Sequence, residues 1–339
     1  MPVAPARAAD PEEGRPSGGS TSIPTRTRPR EADPTIVSLL PSATEMAFAL
    51  GLDDQLIGVT AECDFPSAAR KKPVVVRSAL PTATMTPSEI DRAVSQRLRE
   101  GGSLYEADEQ LIRRLAPDII VTQNLCQVCA PSGNELSKLL KVLPKPPKVL
   151  WQSPHSIEEI FDCLTELAGA TGREERARQF VAGARKRIGA VRALVANAHA
   201  PAKVFMMEWT DPPYCSGHWV PEMIEAAGGV DTLARNGVDS VRVSWETIAA
   251  AAPETLVLSP CGYDLRGAVE RARPLRRIPE FTSTPAMQRG RAFAVDSSGY
   301  FSRPGPRVVE GVELLGHLFH PDLVEWNGPK DAFSAIGPG

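Results

Sequence analysis

The apolar side chains between residues 173 and 197 recur with the spacing of an α-helix. At 100° per residue they fall within one stripe roughly 100° wide, which is typical of an amphipathic helix. The members of this stripe are Ala177, Phe180, Val181, Ala184, Ile188, Val191 and Val195. Gly183 and Gly189 lie in the same stretch, where each weakens a helix by about 1 kcal/mol relative to alanine. We therefore predict one helix, about 37 Å long, that connects the segments on either side of it.

Short apolar runs alternate with helical patterns on both sides of this helix. A chain with that alternation forms mainly parallel sheets covered by helices. The predicted fold class is α/β, with two Rossmann-like lobes of mainly parallel strands joined by the long helix. The predicted divisions are a disordered tail (residues 1–33), an N-terminal lobe (34–152), a helical connector (153–200), a C-terminal lobe (201–325) and a second tail (326–339).

Composition and charge limit the kinds of partner that the chain can bind and indicate where in the cell it is located. The first 33 residues are rich in Pro, Gly, Ser, Thr and Arg, and they lack the apolar surface that would offset the entropy of ordering them. A net charge of −3 gives no electrostatic reason to expect nucleic acid or anionic membrane as a partner. No run is apolar and long enough for a bilayer span, and no signal-peptide pattern is visible. From these features we expect a monomeric cytoplasmic protein without membrane insertion.

Rare and reactive side chains follow the predicted strands. In an open α/β sheet, ligands bind just beyond the carboxyl ends of the strands. The residues at those positions are Cys63, Asp64, Gln123, Asn124, Cys126, Cys129, Glu208, Trp209, Tyr300 and Phe301, and His218 and Trp219 stand on a loop before a helix. Their grouping predicts a recognition surface between the lobes.

The order of several short motifs resembles one family. The motifs occupy residues 37–45, 62–66, 126–129, 208–212, 217–219 and 303–307. Together with the connecting helix they resemble the helical-strut substrate-binding proteins of ABC transporters, the group that captures vitamin B12 and ferric siderophores. The resemblance implies two lobes that close on one large ligand and catalyse no reaction. It also implies a small-molecule ligand, either a cobalamin-like corrinoid or an iron chelate, and an ABC permease as partner, although this family is usually exported.

Roles for individual residues follow from their chemistry. Aromatic faces bury large apolar areas with few rotatable bonds, which suits Trp209, Trp219, Tyr300 and Phe301 to a flat ligand. His218 has the imidazole that cobalt and iron accept as an axial ligand. Ser42 is predicted to cap a helix, in a capping box with Glu45, whose N-terminus would favour an anionic group. Trp151 and Trp245 are assigned to lobe cores. The polar residues expected to orient the ligand are Asp64, Gln123, Asn124, Glu208, His218 and Arg303.

The alternative is a cytoplasmic metal or redox protein built on the same fold. The Cys126-x-x-Cys129 pair has the spacing of a redox motif or of half a zinc site, and Cys63 and His218 would complete four ligands. Against an enzyme, the sequence contains no nucleophile elbow and no His-Glu-x-x-His.

Overall fold

Two sheets of mostly parallel strands form from the apolar runs of the chain. The computed structural model describes residues 33–124, 140, 141, 143–198 and 200–337. From Pro34 onward the chain folds as one compact unit, in which the two sheets and their helices form two lobes. The predicted tail at residues 1–33 lies outside the described residues, except for Asp33.

The first lobe is built on a six-stranded sheet. Its strands are β1 (Ile36–Ser38), β2 (Leu56–Thr60), β3 (Val74–Ser78), β4 (Tyr105–Ala107), β5 (Ile119–Thr122) and β6 (Lys148–Trp151). Their order across the sheet is β4-β3-β2-β1-β5-β6, and every neighbouring pair is parallel except β3 with β4. The described helices of this lobe are α1 (Pro41–Ala49), α2 (Pro87–Arg99) and α3 (Glu109–Leu115).

The second lobe is also built on a six-stranded sheet. Its strands are β7 (Ala202–Thr210), β8 (Pro213–Cys215), β9 (Gly229–Asp231), β10 (Thr255–Leu258), β11 (Ala292–Val295) and β12 (Phe333–Ala335). The order is β12-β11-β10-β7-β8, and β9 also pairs with β7. The pairs β7–β8 and β11–β12 are antiparallel. From the sequence we place residues 326–339 in a tail, but the structure pairs three of them with the sheet.

Seven described helices accompany the second sheet. They are α6 (Val220–Ala226), α7 (Trp245–Ala251), α8 (Leu265–Leu275), α9 (Pro279–Thr282), α10 (Pro285–Gln288), α11 (Ser297–Tyr300) and α12 (Val308–Phe319). The labels α4 and α5 belong to the two helices that connect the lobes.

Two consecutive helices connect the lobes, α4 (Ile157–Thr171) and α5 (Glu174–Val195). Gly172, with φ of 68°, ends α4 in the left-handed conformation that glycine adopts without a Cβ penalty. The face of α5 that is buried consists of Ala177, Val181, Ala184, Ile188, Val191 and Val195. This is the predicted stripe without Phe180, which is only partly buried. The long connecting helix and the α/β fold class are therefore confirmed.

One apolar core is shared by both lobes. Alternate residues of a strand point to opposite faces, and Ile36 and Val121 of the first sheet join Val204 and Met206 of the second in this core. The buried stripe of α5 belongs to it as well. Residues on the other face of each sheet form separate clusters among the described residues. Because the connecting helices and α12 pack into the shared core, they fix how the carboxyl ends of the two sheets face each other.

Candidate ligand site between the lobes

Side chains near the carboxyl ends of both sheets meet along one line of contact, which we call the interlobe seam. It is formed by Glu45, Asp64, Met85, Asp91 and His155 of the first lobe with Tyr214, His218, Arg242, Arg271, Arg303 and Arg307 of the second. Ligands of open α/β sheets bind at this edge. The interlobe seam is therefore the candidate ligand site.

The carboxylate of Glu45 on α1 is shared by two arginines of the other lobe. Arg307 donates from Nη2 and Nε to the two Glu45 oxygens at 2.6 and 2.9 Å. Arg303 Nη1 donates to Glu45 Oε1 at 3.3 Å and to Asp64 Oδ1 at 2.6 Å. The Glu45 side chain is 2% exposed, and those of Arg303 and Arg307 are 12% and 17% exposed. These charge-assisted hydrogen bonds join α1 and the loop after β2 to the segment before α12.

The same contacts keep both members of the Asp64–Arg303 pair ionised. Burial opposes ionisation of Asp64, but the hydrogen bond and charge of Arg303, with further charge from Arg70 and Arg307, lower the pKa of its carboxyl below the usual value. Burial also opposes the charge on Arg303, but the hydrogen bonds and charges of Asp64 and Glu45 together outweigh burial and raise the pKa of the guanidinium. From the sequence we expect Asp64 and Arg303 to contact the ligand, whereas in this structure each charge is matched by the other.

Ser42 lies beneath the interlobe contact instead of capping a helix. Helix α1 begins at Pro41, which suits the first helical position because its missing N–H has no partner there anyway. Leu40 is the N-cap residue and makes no side-chain capping bond, so the capping box of Ser42 with Glu45 does not form. Gly305 lies against Ser42, where an added Cβ would be 3.4 Å from the Ser42 Cα. Ser42 is 4% exposed, so the other lobe covers it.

Two imidazoles meet in the interlobe seam. The rings of His155, which follows β6, and His218 lie 5.7 Å apart between centroids. His218 has φ of 55°, donates its backbone N–H to Val238 O at 2.8 Å, and has Nε2 3.2 Å from Asp239 Oδ1. Burial lowers the pKa of His218, and the nearby Asp239 only partly opposes that effect. A neutral imidazole can offer a ring nitrogen to a metal.

Three of the four expected cleft aromatics are core residues. Trp219, Tyr300 and Phe301 are 6%, 7% and 2% exposed and belong to the apolar core shared by the lobes. The Trp219 indole donates to Phe301 O at 3.1 Å, which satisfies its polar atom within the core. Conversely, Trp151 at the end of β6 is 44% exposed, although from the sequence we assign it to a core. The aromatic surface near the site therefore has to come from other residues.

Trp209 is the expected aromatic that stays half-buried at the end of its strand. Its ring lies 6.0 Å from that of Tyr263, in the loop after the neighbouring parallel strand β10. Its indole nitrogen Nε1 is buried and has no hydrogen-bond partner in the described part of the chain. Arg271 of α8 stacks on the same Tyr263 ring, with Cζ 4.9 Å from the centroid. Trp209, Tyr263 and Arg271 thus form one cluster at the carboxyl edge of the second sheet.

The expected amide and carboxylate contacts lie beside the same edges. Gln123, which follows β5, is 5% exposed. Asn124 is exposed, and its backbone N–H donates to Ser153 Oγ at 3.0 Å. Glu208 is half-buried near the end of β7, where its carbonyl accepts the Cys261 N–H at 2.9 Å. The structure thus places Gln123 and Asn124 in one lobe and Glu208 in the other, each at the end of a parallel strand.

The residues of the proposed metal site are only partly described. Cys126 and Cys129 lie outside the described residues. Cys63 is buried, accepts a hydrogen bond from Thr44 Oγ1 at 3.1 Å, and has its thiol pKa raised by burial. Among the described residues, no group of three or more His, Cys, Asp or Glu side chains is arranged to hold a metal ion. The thiol of Cys63 is protonated at neutral pH and is a poor metal ligand in that form.

Sequence reasoning missed most residues of the interlobe seam and its edge, and four of them show why. Glu45 is expected to complete a capping box, but it pairs with arginines 258 and 262 positions away. His155 follows β6 as Gln123 follows β5, so the rule about strand ends could have identified it. Tyr263 follows β10 and could have been found by the same rule. Arg271 carries no such signal, since it stands among several similar arginines of α8 and the following turn.

Comparison with known proteins places the chain among solute-binding proteins. Residues 36–298 match the family model described as periplasmic binding protein. The vitamin B12-binding protein of Yersinia pestis (strain Pestoides F) is 26% identical over 235 residues, which cover 69% of this chain and 72% of that protein. A periplasmic heme-binding protein from Pseudomonas aeruginosa superposes with a TM-score of 0.68 at 19% identity, covering 91% of this chain and 100% of that one. The periplasmic vitamin B12-binding protein of Vibrio cholerae gives 0.61 at 22% identity, covering 85% and 96%. At these identities the structural matches show the fold.

These matches also decide the class of protein and correct the compartment. The cytoplasmic location expected from the sequence is wrong, because the matching family and the relatives are periplasmic and point to export. Among the described residues, no helix is long and apolar enough to cross a membrane. Proteins of this family bind solutes, work with ABC permeases and are not enzymes. The family model covers most of the folded chain, and the chain therefore belongs to the periplasmic binding protein family.

Proposed function

We propose that this chain is the substrate-binding component of an ABC transporter and that it holds a metal-chelate macrocycle or ferric siderophore in the interlobe seam. Corrinoids and iron chelates are the two ligand classes. The vitamin B12-binding relative, aligned over 69% of this chain, supports the first class. An ABC permease is the expected partner, and a monomer is the expected state of the free protein.

The single observation that carries this proposal is the meeting of His155 and His218 from opposite lobes. Their ring centroids are 5.7 Å apart, and the pKa of His218 is lowered by burial, so its imidazole is neutral at pH 7. A neutral imidazole coordinates cobalt and iron. Half-buried Trp209 and exposed Trp151 lie at strand ends and supply aromatic faces of the kind that bury flat ligands.

Calorimetric titration tests the proposal directly. Cyanocobalamin, hemin, a ferric tricatecholate and a ferric trihydroxamate are titrated in turn into the full chain, with tryptophan fluorescence as a second signal. We expect saturable binding of at least one of them with a stoichiometry of one. If zinc or a thiol oxidant changes the signal and none of the four chelates does, the metal or redox alternative is correct instead.

A pair of histidine variants tests the site. For whichever chelate binds, we expect His218→Asn to weaken the affinity. The matched control is His317→Asn, because His317 lies on α12 and contacts Val324 O and the Phe333 ring, away from the interlobe seam. Equal affinities in the two variants would place the ligand elsewhere.

A further inference from the structure

The arginines of the interlobe seam differ in whether a carboxylate neutralises them. Arg303 and Arg307 pair with Glu45, and Arg242 Nη2 lies 3.1 Å from Asp91 Oδ2. Arg271 has no such partner among the described residues. Its Nη2 donates to Met85 O at 3.3 Å and to the Tyr263 hydroxyl at 3.2 Å, both of which are uncharged. Among these four arginines, Arg271 is thus the one without a carboxylate partner in the described part of the chain.

Two buried N–H donors of this cluster have no hydrogen-bond partner among the described residues. They are Arg271 Nε and Trp209 Nε1. Both side chains contact the Tyr263 ring, at 4.9 Å for the Arg271 Cζ and 6.0 Å for the Trp209 ring. A buried donor without a partner lowers the stability of the folded state, because it has lost its hydrogen bonds to water and gained none in return. Such a group needs an explanation, and an oxygen atom of a ligand that accepts its hydrogen bond on binding would supply one.

The position of the cluster matches the ligand site. Trp209 lies near the carboxyl end of β7, and Tyr263 follows the carboxyl end of β10, which pairs with β7 in parallel. Arg271 reaches from α8 to the carbonyl of Met85 in the first lobe. The unused donors therefore lie at the sheet edge that the other lobe covers, where a ligand between the lobes is in reach of them.

We infer that Trp209 Nε1 and Arg271 Nε bind negatively charged oxygen atoms of the ligand, so that the natural ligand is an anionic chelate. This inference rests on the proposed function and narrows its ligand class. A carboxylate on a macrocycle and a catecholate oxygen of a siderophore share the required chemistry, since each accepts charge-assisted hydrogen bonds from planar N–H donors. A chelate whose periphery carries amides in place of carboxylates would leave the Arg271 charge unmatched and would bind more weakly.

Matched pairs of probes separate the inference from the proposed function. Each pair keeps one kind of chelate and changes its charge: hemin against its bis-amide, dicyanocobyrinic acid against dicyanocobinamide, and a ferric tricatecholate against a ferric trihydroxamate. Affinities for the full chain are measured by calorimetry. For the chelate class that binds, we expect the anionic member to bind about 10- to 100-fold more tightly, the size of one hydrogen bond to a charged group.

The variants show whether these two donors cause the preference. Arg271→Gln and Trp209→Phe are expected to reduce the ratio of anionic to neutral affinity at least tenfold and about threefold, respectively. Arg266→Gln is the matched control, because Arg266 is an exposed arginine of the same helix whose Nε pairs with Glu270. Since the ratio compares two ligands in one protein sample, a lower folded fraction cancels.

Two results would overturn the inference in different ways. The inference is wrong if a neutral member binds as tightly as its anionic partner, or if Arg271→Gln and Arg266→Gln give the same affinity ratio. In either case the two donors bind water and not the ligand, and the proposed function stands without a preference for anionic chelates. If neither cyanocobalamin nor any of the six chelates binds, the proposed function fails, and the inference fails with it.

Discussion

Replacing Glu45 with glutamine should destabilise the protein far more than the same change at another glutamate. Glu45→Gln keeps the shape of the side chain and removes its charge. Arg303 would retain Asp64 and the Glu62 carbonyl. Arg307 would retain only the Ser298 carbonyl and its stacking on Phe65 among the contacts of the described residues, where its Cζ lies 4.1 Å from the ring centroid. The variant therefore leaves Arg307, which is 17% exposed, without a carboxylate.

The burial of the network sets the size of this effect. Removing one partner of a buried ion pair costs about 3–5 kcal/mol, because an uncompensated charge is left behind. The nearby Asp64 still offers some negative charge, so we expect a loss of about 3 kcal/mol from the unfolding free energy. A protein domain is stable by only about 5–15 kcal/mol, so a change of that size is easily measured by urea unfolding followed through tryptophan fluorescence.

The matched control is Glu313→Gln. Glu313 accepts a 2.6 Å hydrogen bond from Arg187, but these side chains are 28% and 44% exposed, and Arg187 keeps Glu310 as a second partner. We expect a loss below about 1 kcal/mol there. Equal losses in the two variants would refute the reasoning. A double-mutant cycle of Glu45→Gln with Arg307→Gln should also show coupling above about 1 kcal/mol, whereas additive effects would show that the pair does not interact energetically.

Three further outcomes can be measured on the same protein. Burial lowers the pKa of His218 below 6.5, so the unfolded state takes up this proton at a higher pH than the folded state does. The free energy of unfolding that depends on this group is therefore fully present above pH 6.5 and falls by at most about 1.4 kcal/mol per pH unit as the pH drops below that value. His218→Asn should flatten that slope in urea midpoints measured between pH 5 and 7.5. Gly183 lies at an exposed position of α5, where an added Cβ meets no atom of the described residues within 4 Å. Gly183→Ala should therefore stabilise the helix by about 1 kcal/mol, seen as a higher Tm. Gly217→Ala should instead lower the free energy of unfolding by about 1–3 kcal/mol, because the added Cβ would lie within 3 Å of the backbone at residues 238–240. It should also weaken ligand binding, since that backbone holds His218. A Tm equal to that of Gly183→Ala would contradict this prediction.

The sequence predicted those parts of the fold that local patterns determine. The apolar stripe of α5 is a property of one segment, and six of its seven members are buried as expected. Strand β12 was missed because residues 333–335 are a short antiparallel edge whose partner, β11, ends 38 residues earlier. No periodicity within three residues can indicate such a pairing, since it depends on where the rest of the sheet leaves an open edge.

The candidate site could be located from the sequence but not resolved into roles. Strand ends identified Asp64, Gln123 and Trp209, because parallel strands bring their carboxyl ends to one edge. Whether an aromatic ring beside a polar turn points into the core or toward the other lobe depends on packing across the chain. Trp219 donates to a carbonyl 82 residues away, and that contact, absent from any local pattern, places it in the core.

The sequence suggested Arg303 as a ligand contact and gave no reason to choose Arg271, whereas charge pairing across the interlobe seam favours Arg271. An arginine in a loop of prolines and glycines looks available, yet Arg303 and Arg307 are matched by Glu45 and Asp64 and hold the two lobes together without a ligand. A guanidinium that already has its carboxylates gains little from another anion, because the new contact must replace an existing one. Arg271 lies on an ordinary helix but lacks a carboxylate among the described residues, so an anionic ligand group adds a contact there instead of exchanging one.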